Sequence, residues 1–364
     1  MKLSFNHEDL KKGLTLVCGV SPKNPRIEIL GHIKIEVTCK DFAILCATNE
    51  TAFLYRKIPL ESCEAIGTCT VHGKKFLDLV KNYSSKSIVN LNLFEDHKLK
   101  ISQSRSRYTF KTLDTFDFPS IKIPDQSKFS PLPADTFLGC LKKVESVTAD
   151  DESKSVLQAV YIEETNAEGF IRAVATDGIR LLTCKTPGVI QRPLLVAKDS
   201  IFLLTKFLQN AKECSWYADE SNVYVKTEKG LFCARLLAKQ FPDYKKLFST
   251  GSHVDITIEL EPTRQALKRA LLFSTKIIIT IRPNGTMTMT GNSETEECEE
   301  EVLLEKEVKK ISSPIKIAVN TSLFSQVLEK FEGDEITMKY YADLKPLILV
   351  GKPELIGLFM PLRV

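Results

Sequence analysis

The sequence predicts an α+β chain in which one unit, two helices over antiparallel strands, is used three times. Three observations carry this. First, a short alternating strand runs into an amphipathic helix at Lys2–Asn6 with His7–Cys18, at Phe129–Leu132 with Pro133–Val147, and at Val254–Leu260 with Glu261–Phe273. These helices begin at residues 7, 133 and 261, intervals of 126 and 128 residues, and a fixed interval is the mark of a repeated unit. Second, another helix class keeps the same interval: Gly73–Tyr83, Lys198–Gln209 and Thr321–Phe331 follow the strands Thr68–Val71, Pro193–Val196 and Ile315–Val319. Third, Cys46–Glu50, Val174–Gly178 and Met289–Ser293 each end an apolar strand in a polar turn, and Phe118-Pro119, Phe241-Pro242 and Phe359-Met360-Pro361 close each third.

Each helix is justified by its apolar spacing, which places one stripe on one face. In the first class the stripes are Leu10, Leu14, Val17; Phe137, Leu141, Val144; and Leu267, Ala270, Leu271. Pro133 and Pro262 fall in the first turn, where a missing N–H costs nothing. In the second class the stripes are Phe76, Leu79, Val80; Ile201, Leu204, Leu208; and Leu323, Val327, Phe331. The rest reads as short alternating strands, such as Ile88–Leu93 and Val223–Lys226. Polar connectors at Pro124–Lys128 and Ser249–His253 give three domains, 1–127, 128–252 and 253–364, of a common domain size.

Length and composition agree. A chain of 364 residues is too long for one typical core. With 43% hydrophobic and 26% charged residues it is globular, neither disordered nor fibrous. No apolar run approaches the length of a bilayer span, and Met1–Glu8 lacks the apolar core of a signal peptide, so a soluble cytoplasmic protein without a membrane partner is expected. The ten cysteines form no Cys-x-x-Cys pair and are read as buried free thiols of a reducing compartment, not as metal ligands.

The net charge of +4 excludes a uniformly basic coat but not a basic face. Basic residues recur on the helices away from the apolar stripe: Lys11 and Lys12; Lys74, Lys75 and Lys81; Lys142 and Lys143; Lys198 and Lys206; Arg264, Lys268 and Arg269; and Lys330. Repetition over six helices points to one surface that meets phosphates without reading bases. Acidic charge gathers at Glu294–Glu301 and Asp150–Glu152, read as solvated edges or loops, because like carboxylates in like surroundings do not make an acid/base pair. The nearest approach to a phosphate-binding loop, Gly67–Lys75, has one residue too many and a lysine where Ser or Thr should hold magnesium. No nucleophile elbow, zinc-protease motif or dinucleotide fingerprint is present, so no catalysis and no cofactor are expected.

Asp177-Gly178 lies between two apolar runs, a strong turn signal whose backbone a partner can approach. Taken with Met1-Lys2-Leu3, Ile29-Leu30-Gly31, Arg105–Leu113 with Phe118-Pro119, Val174–Leu181, Phe241–Leu247 and the terminal Met360-Pro361-Leu362-Arg363-Val364, the chain resembles the bacterial DNA polymerase III beta subunit, the sliding-clamp family, over essentially its whole length. The resemblance implies the DNA clamp fold, with two chains joined head to tail as a homodimeric ring around double-stranded DNA. It implies a processivity factor, not an enzyme, whose partners are the replicative polymerase alpha subunit, the clamp loader and other proteins with short clamp-binding motifs.

It also implies sites. The peptide cleft maps to Leu157, Thr176, Gly178, Ile179, Arg180, Leu181, Pro242, Lys246, Leu247, Leu358, Met360, Pro361, Leu362 and Arg363; the apolar members would form an adaptable floor, and Arg180 and Arg363 would fix the ligand. The ring interface maps to Tyr108 and Phe110 against Leu272 and Phe273, four residues whose apolarity alone would place them in a core. DNA-facing positions are Lys23, Arg26, Lys74, Lys75, Lys81, Lys142, Lys143, Lys198, Arg264 and Lys268. Asn24 stands where relatives often carry a DNA-contacting arginine, Ile179 where many have histidine or a polar residue, and Lys246 where arginine is commoner. Lys276–Thr280 is shorter than usual, which motivates the alternative of a divergent clamp paralogue that binds partners without closing a ring.

Overall fold

Side-chain caps mark the start of some of the helices. Asn6 accepts the Glu8 N–H at 2.9 Å and Asn320 the Leu323 N–H at 3.0 Å, each satisfying one of the N–H groups a helix leaves unpaired at its start. The computed structural model describes residues 1–22, 24–85, 87–248, 251–292, 296–304, 308, 311–352 and 354–363. Lys23, Val364, Glu294 and two residues of the second connector, Ser249 and Thr250, lie outside the described residues.

Among the described residues the order is as follows. The first third runs β1 (Lys2–Asn6), α1 (His7–Cys18), β2 (His32–Val37), β3 (Phe42–Thr48), β4 (Ala52–Pro59), β5 (Ser62–Ala65), β6 (Gly67–His72), α2 (Gly73–Lys81), β7 (Ile88–Leu93), β8 (Lys98–Gln103) and β9 (Ser106–Lys111). The second runs β10 (Ser130–Pro133), α3 (Ala134–Glu145), β11 (Ala159–Glu164), β12 (Phe170–Thr176), β13 (Arg180–Pro187), β14 (Leu194–Ala197), α4 (Lys198–Leu208), β15 (Glu213–Ala218), β16 (Asn222–Thr227) and β17 (Gly230–Arg235). The last runs β18 (Val254–Glu259), α5 (Leu260–Ala270), β19 (Lys276–Ile281), β20 (Thr286–Asn292), β21 (Glu297–Leu303), β22 (Ile315–Asn320), α6 (Thr321–Leu328), β23 (Glu332–Tyr340), β24 (Leu347–Lys352) and β25 (Leu355–Phe359). Apart from β5, the three thirds share one order of helices and strands.

One compact unit comprises Met1–Leu138, Gly188–Ile190 and Asp199–Leu237. It holds a five-stranded sheet, β5-β1-β7-β8-β9, and an eight-stranded sheet, β10-β15-β16-β17-β4-β3-β2-β6. Helix α1 buries Leu10, Leu14 and Val17, and Gly13 lets it settle onto β4: a Cβ there would come within 2.1 Å of Ile58 Cδ1. The other unit comprises Gly139–Pro187, Gln191–Lys198 and Ala238–Val364. It holds the sheets β14-β11-β12-β13-β25-β24-β23-β18 and β21-β20-β19-β22. Its core includes Phe324, Phe331 and Phe359, with the Phe331 ring filling the space above Gly351 and Gly357.

Both eight-stranded sheets are made the same way. The last strand of one third's first sheet pairs with the strand after a polar hairpin in the preceding third. This gives β17 on β4 (Ala234↔Ala52 to Gly230↔Arg56) and β25 on β13 (Phe359↔Arg180 to Leu355↔Cys184), both antiparallel. The hairpins match in detail. Thr48 Oγ1 donates to Ala52 O at 2.9 Å and Thr176 Oγ1 to Arg180 O at 2.7 Å; Asn49 and Asp177 each take two N–H groups of their own turn on Oδ1.

The structure departs from the sequence reading at the starts and ends of two helices, and gives form to two other stretches. Helix α3 starts at Ala134, with Pro133 the last residue of β10, because the strand needs that position for its pairing with Glu213. Helix α5 stops at Ala270, so Leu271, expected in its buried stripe, faces outward with Leu272 and Phe273. The acidic run forms, over Glu297–Leu303, the edge strand β21, with Glu297, Glu299 and Glu301 exposed and Glu300 paired to Arg269. The short Lys276–Thr280 stretch lies within a full strand, β19, paired on both sides. All ten cysteines are free. No helix among the described residues is long and apolar enough to cross a membrane.

Candidate partner-binding cleft and exposed edges

The residues expected to form the cleft lie on three elements of the second unit. The β12–β13 hairpin closes over three residues, Asp177 to Ile179, and Gly178 adopts φ +95°, which an L side chain rarely takes. Asp177 Oδ1 accepts the N–H groups of Ile179 and Arg180, each at 2.9 Å. Leu157 borders this turn: a Cβ on Gly178 would lie 3.9 Å from Leu157 Cδ1.

The second element is the single helical turn Tyr244–Leu247. Phe241 stacks on Tyr161 of β11 at 5.0 Å between ring centroids, and Tyr244 Oη donates to Glu163, whose other oxygen pairs with Lys245 at 2.9 Å. Burial and the Glu163 carboxylate push the Tyr244 hydroxyl's pKa up, so it stays a donor. This clasp fixes the turn and leaves Pro242, Lys246 and Leu247 exposed, with Lys246 paired to Asp243 at 3.0 Å.

The C-terminal tail is the third element. Beyond β25, Met360 N–H donates to Ile179 O at 2.9 Å and Leu362 N–H to Ala318 O at 2.7 Å, while Lys276 Nζ holds Arg363 O at 2.8 Å. Met360 and Pro361 are half-buried, whereas Leu362, Arg363 and Ile179 are exposed. Leu181 and Leu358 face each other across β13 and β25 and lie fully inside, so they back the cleft and do not line its surface.

Arg180 has a different role from the one its type suggested. Its side chain is 7% exposed; Nε donates to Asp177 Oδ2 at 2.9 Å, and Nη1 to Gln326 Oε1 at 2.8 Å and more weakly to Leu323 O. It ties the hairpin to α6, and a ligand would meet the wall it builds. Asp177 and Gln326 are the partners the sequence reading missed; Asp177 at three residues' spacing was the available signal, while nothing in sequence pointed to Gln326.

Two apolar edges stand outside the cleft. On β9, the open edge of the five-stranded sheet, Tyr108 is exposed against Tyr83 and Phe110 is half-buried against Phe76. After α5, beside the open edge strand β21, Leu272 is 79% and Phe273 41% exposed. Of the basic positions, Arg26, Lys74, Lys75, Lys81, Lys142 and Lys268 are exposed. Lys143 pairs with Glu332 at 2.8 Å and Lys198 with Asp150 at 2.5 Å. Arg264 is committed to the C-terminal end of α6, donating to Leu328 O and Phe331 O, where a cation suits the helix dipole. Lys23 is outside the described residues.

Three like α+β repeats joined by one kind of sheet junction, with exposed apolar side chains beside strand edges in the first and last thirds, define a protein of the clamp fold. Comparison with known proteins agrees. Family models described as the N-terminal, central and C-terminal domains of the DNA polymerase III beta subunit match residues 1–122, 131–243 and 245–361. The beta sliding clamp of Haemophilus influenzae is 24% identical over 348 residues, covering 93% of this chain and 92% of that protein; that of Vibrio cholerae is 25% identical over 344 residues, covering 92% of each. Crystal structures of the DNA polymerase III beta subunit from Pseudomonas aeruginosa and of the sliding clamp from Bacillus subtilis have the same fold. Their TM-scores are 0.89 and 0.90 at 23% and 19% identity, over 100% of this chain and 100% and 99% of theirs. The chain belongs to the DNA polymerase III beta-subunit family, the sliding clamps.

Proposed function

We propose that two copies of this chain close head to tail into a ring around duplex DNA and tether the replicative polymerase to it. The observation that carries this is the repeated junction. Strands β17 and β25 are each covered by the post-hairpin strand of the preceding third, β4 and β13. Their equivalent in the first third is β9, and the equivalent of β4 and β13 in the last third is β21; both are open edges within the chain. An open edge is a template for another strand, and a heterologous contact of this kind closes or polymerises according to its rotation. Pairing β9 with β21 of a second copy, with Tyr108 and Phe110 meeting Leu272 and Phe273, extends the junction to six repeats and covers both of these edges. The domains in this reading are 1–127, 128–252 and 253–364.

The exposed helix cations Lys74, Lys75, Lys81, Lys142 and Lys268, with Arg26, supply sequence-neutral phosphate contacts. Weak contacts suffice, because a closed ring is retained by topology. The cleft between Leu157, the Gly178 turn, Leu247 and Met360 takes a short apolar peptide segment of the polymerase alpha subunit, the clamp loader or another partner. The chain itself tethers and does not catalyse. The test is solution mass by light scattering, then retention on circular against linear duplex after loading. A mass of twice 41.0 kDa with loss only from linear DNA is the expected result; a stable monomer overturns the ring.

A further inference from the structure

Between α1 and α4 the first unit carries a groove of about 740 Å³ that neither the cleft nor the open edges account for. Its base lies over the junction of β4 and β17, where α1 packs on β4 and Phe207 of α4 meets Phe232 of β17 at 6.1 Å. The charge on its rim is one-sided. Lys11 and Lys12 of α1, Lys206 of α4 and Arg56 of β4 face it, and of the two nearby carboxylates Glu228 already pairs with Lys229.

Two features say what the groove holds. The Arg56 guanidinium is half-buried and, among the described residues, makes no hydrogen bond or ion pair of 4.0 Å or less; loss of water around it disfavours the charged form. Glu228 offsets part of that cost, but it is exposed and shared with Lys229, so Arg56 keeps room for an anion. Phe202 is 51% exposed on the same groove, with Lys206 Nζ 5.2 Å from its ring centroid. A basic groove with an exposed aromatic ring is how single strands are held: phosphates meet the cations and an unstacked base meets the ring. A duplex hides its base faces and has no use for Phe202.

We propose that this α1–α4 groove is a binding site for single-stranded DNA, with Phe202 as the stacking platform and Arg56, Lys11 and Lys206 as the phosphate contacts. The proposal rests on the reading of the chain as a DNA clamp and adds a strand-specific site to it. A polymerase copies a single-stranded template, so a protein tethered beside it meets unpaired nucleotides as well as duplex.

The test is fluorescence anisotropy of the full-length protein with a short labelled oligo(dT) and, separately, a hairpin duplex of matched charge. The wild-type protein binds the single strand more tightly than the duplex. Phe202→Ala weakens oligo(dT) binding by about tenfold, the size of one lost stack, and leaves the duplex unaffected; Phe202 is exposed, so the fold stays intact. Arg56→Gln weakens both and lowers the salt slope by about 0.7 for the single strand. Equal oligo(dT) binding by wild type and Phe202→Ala, or no preference for the single strand, overturns the proposal. Solution mass and retention on circular duplex read the ring independently, so the two can fail separately.

Discussion

The two covered junctions of this chain and its open edges β9 and β21 are built from equivalent strands, yet their surfaces differ. At the covered junction of β13 with β25, Leu181, Leu358 and Phe359 are buried to the last few per cent. At the open edge, Leu272 and Phe273 keep much of their surface in water. Strand β25 is almost wholly apolar whereas β21 carries Glu297, Glu299, Glu300 and Glu301, and only at the first place does the chain supply the partner strand itself. An exposed pair of large apolar side chains beside an unpaired strand is a liability unless another surface covers it.

The largest effect is expected inside a covered junction. Phe359 is fully buried against Phe324, at 5.2 Å between centroids, and sits opposite Arg180 in the ladder. Phe359→Ala should cost about 4 kcal/mol, read as a lower denaturation midpoint. A loss below about 1 kcal/mol would mean that the junction carries little of the stability.

Next comes the open edge. Leu272→Glu with Phe273→Glu should leave the denaturation midpoint of the isolated chain nearly unchanged, because both residues are exposed. It should reduce the solution mass from twice 41.0 kDa to 41.0 kDa. An unchanged mass would move the interface elsewhere.

Beside the hairpin that completes the β13–β25 junction, the buried Arg180 and the half-buried Met360 of the tail can be told apart. Arg180→Ala leaves Asp177 without its ion-pair partner and Gln326 without its donor, so it should cost about 2 kcal/mol of stability and weaken peptide binding indirectly. Met360→Ala should weaken peptide binding alone. Isothermal titration with a peptide from the polymerase alpha subunit, beside thermal melts, distinguishes them. If Arg180→Ala lost affinity at unchanged stability, Arg180 would contact the ligand directly.

This division explains what sequence could show. The helices were legible because each has an apolar stripe, and the repeat was legible because the helix starts recur at a near-constant interval and Asn49 and Asp177 recur at like points in like hairpins. What sequence could not show depends on partners far along the chain. Arg180 reads as a ligand contact until α6 brings Gln326 to it, and Arg264 reads as a DNA contact until the end of α6 presents two carbonyls. Leu271 fits the stripe of α5, but the helix ends one residue earlier. A periodic pattern records which face is apolar; it does not record which polar groups the fold itself will consume.

The smallest expected effect reads the same comparison through thiols. Cys233 lies on β17 in a covered junction, and burial pushes its pKa up to about 12; Cys46 of β3, in the same sheet, and Cys69 of β6 are raised to about 12 for the same reason. At mildly alkaline pH their thiolate fraction is about one in ten thousand, so a thiol-specific reagent should leave them untouched in the native protein. Cys298, half-buried on the open strand β21, should react ahead of these three, and more slowly once a second copy covers that strand. The sign of the pH effect follows from the same values. In the unfolded chain these thiols ionise near 9.0, in the native chain near 12, so above pH 9 the unfolded state sheds protons that the native state keeps. Stability is therefore full below that pH and falls as pH rises through it, by a share from each buried thiol. Peptide mapping after brief labelling measures the order of reaction; labelling of Cys233 ahead of Cys298 would show that the covered junction opens more readily than the edge.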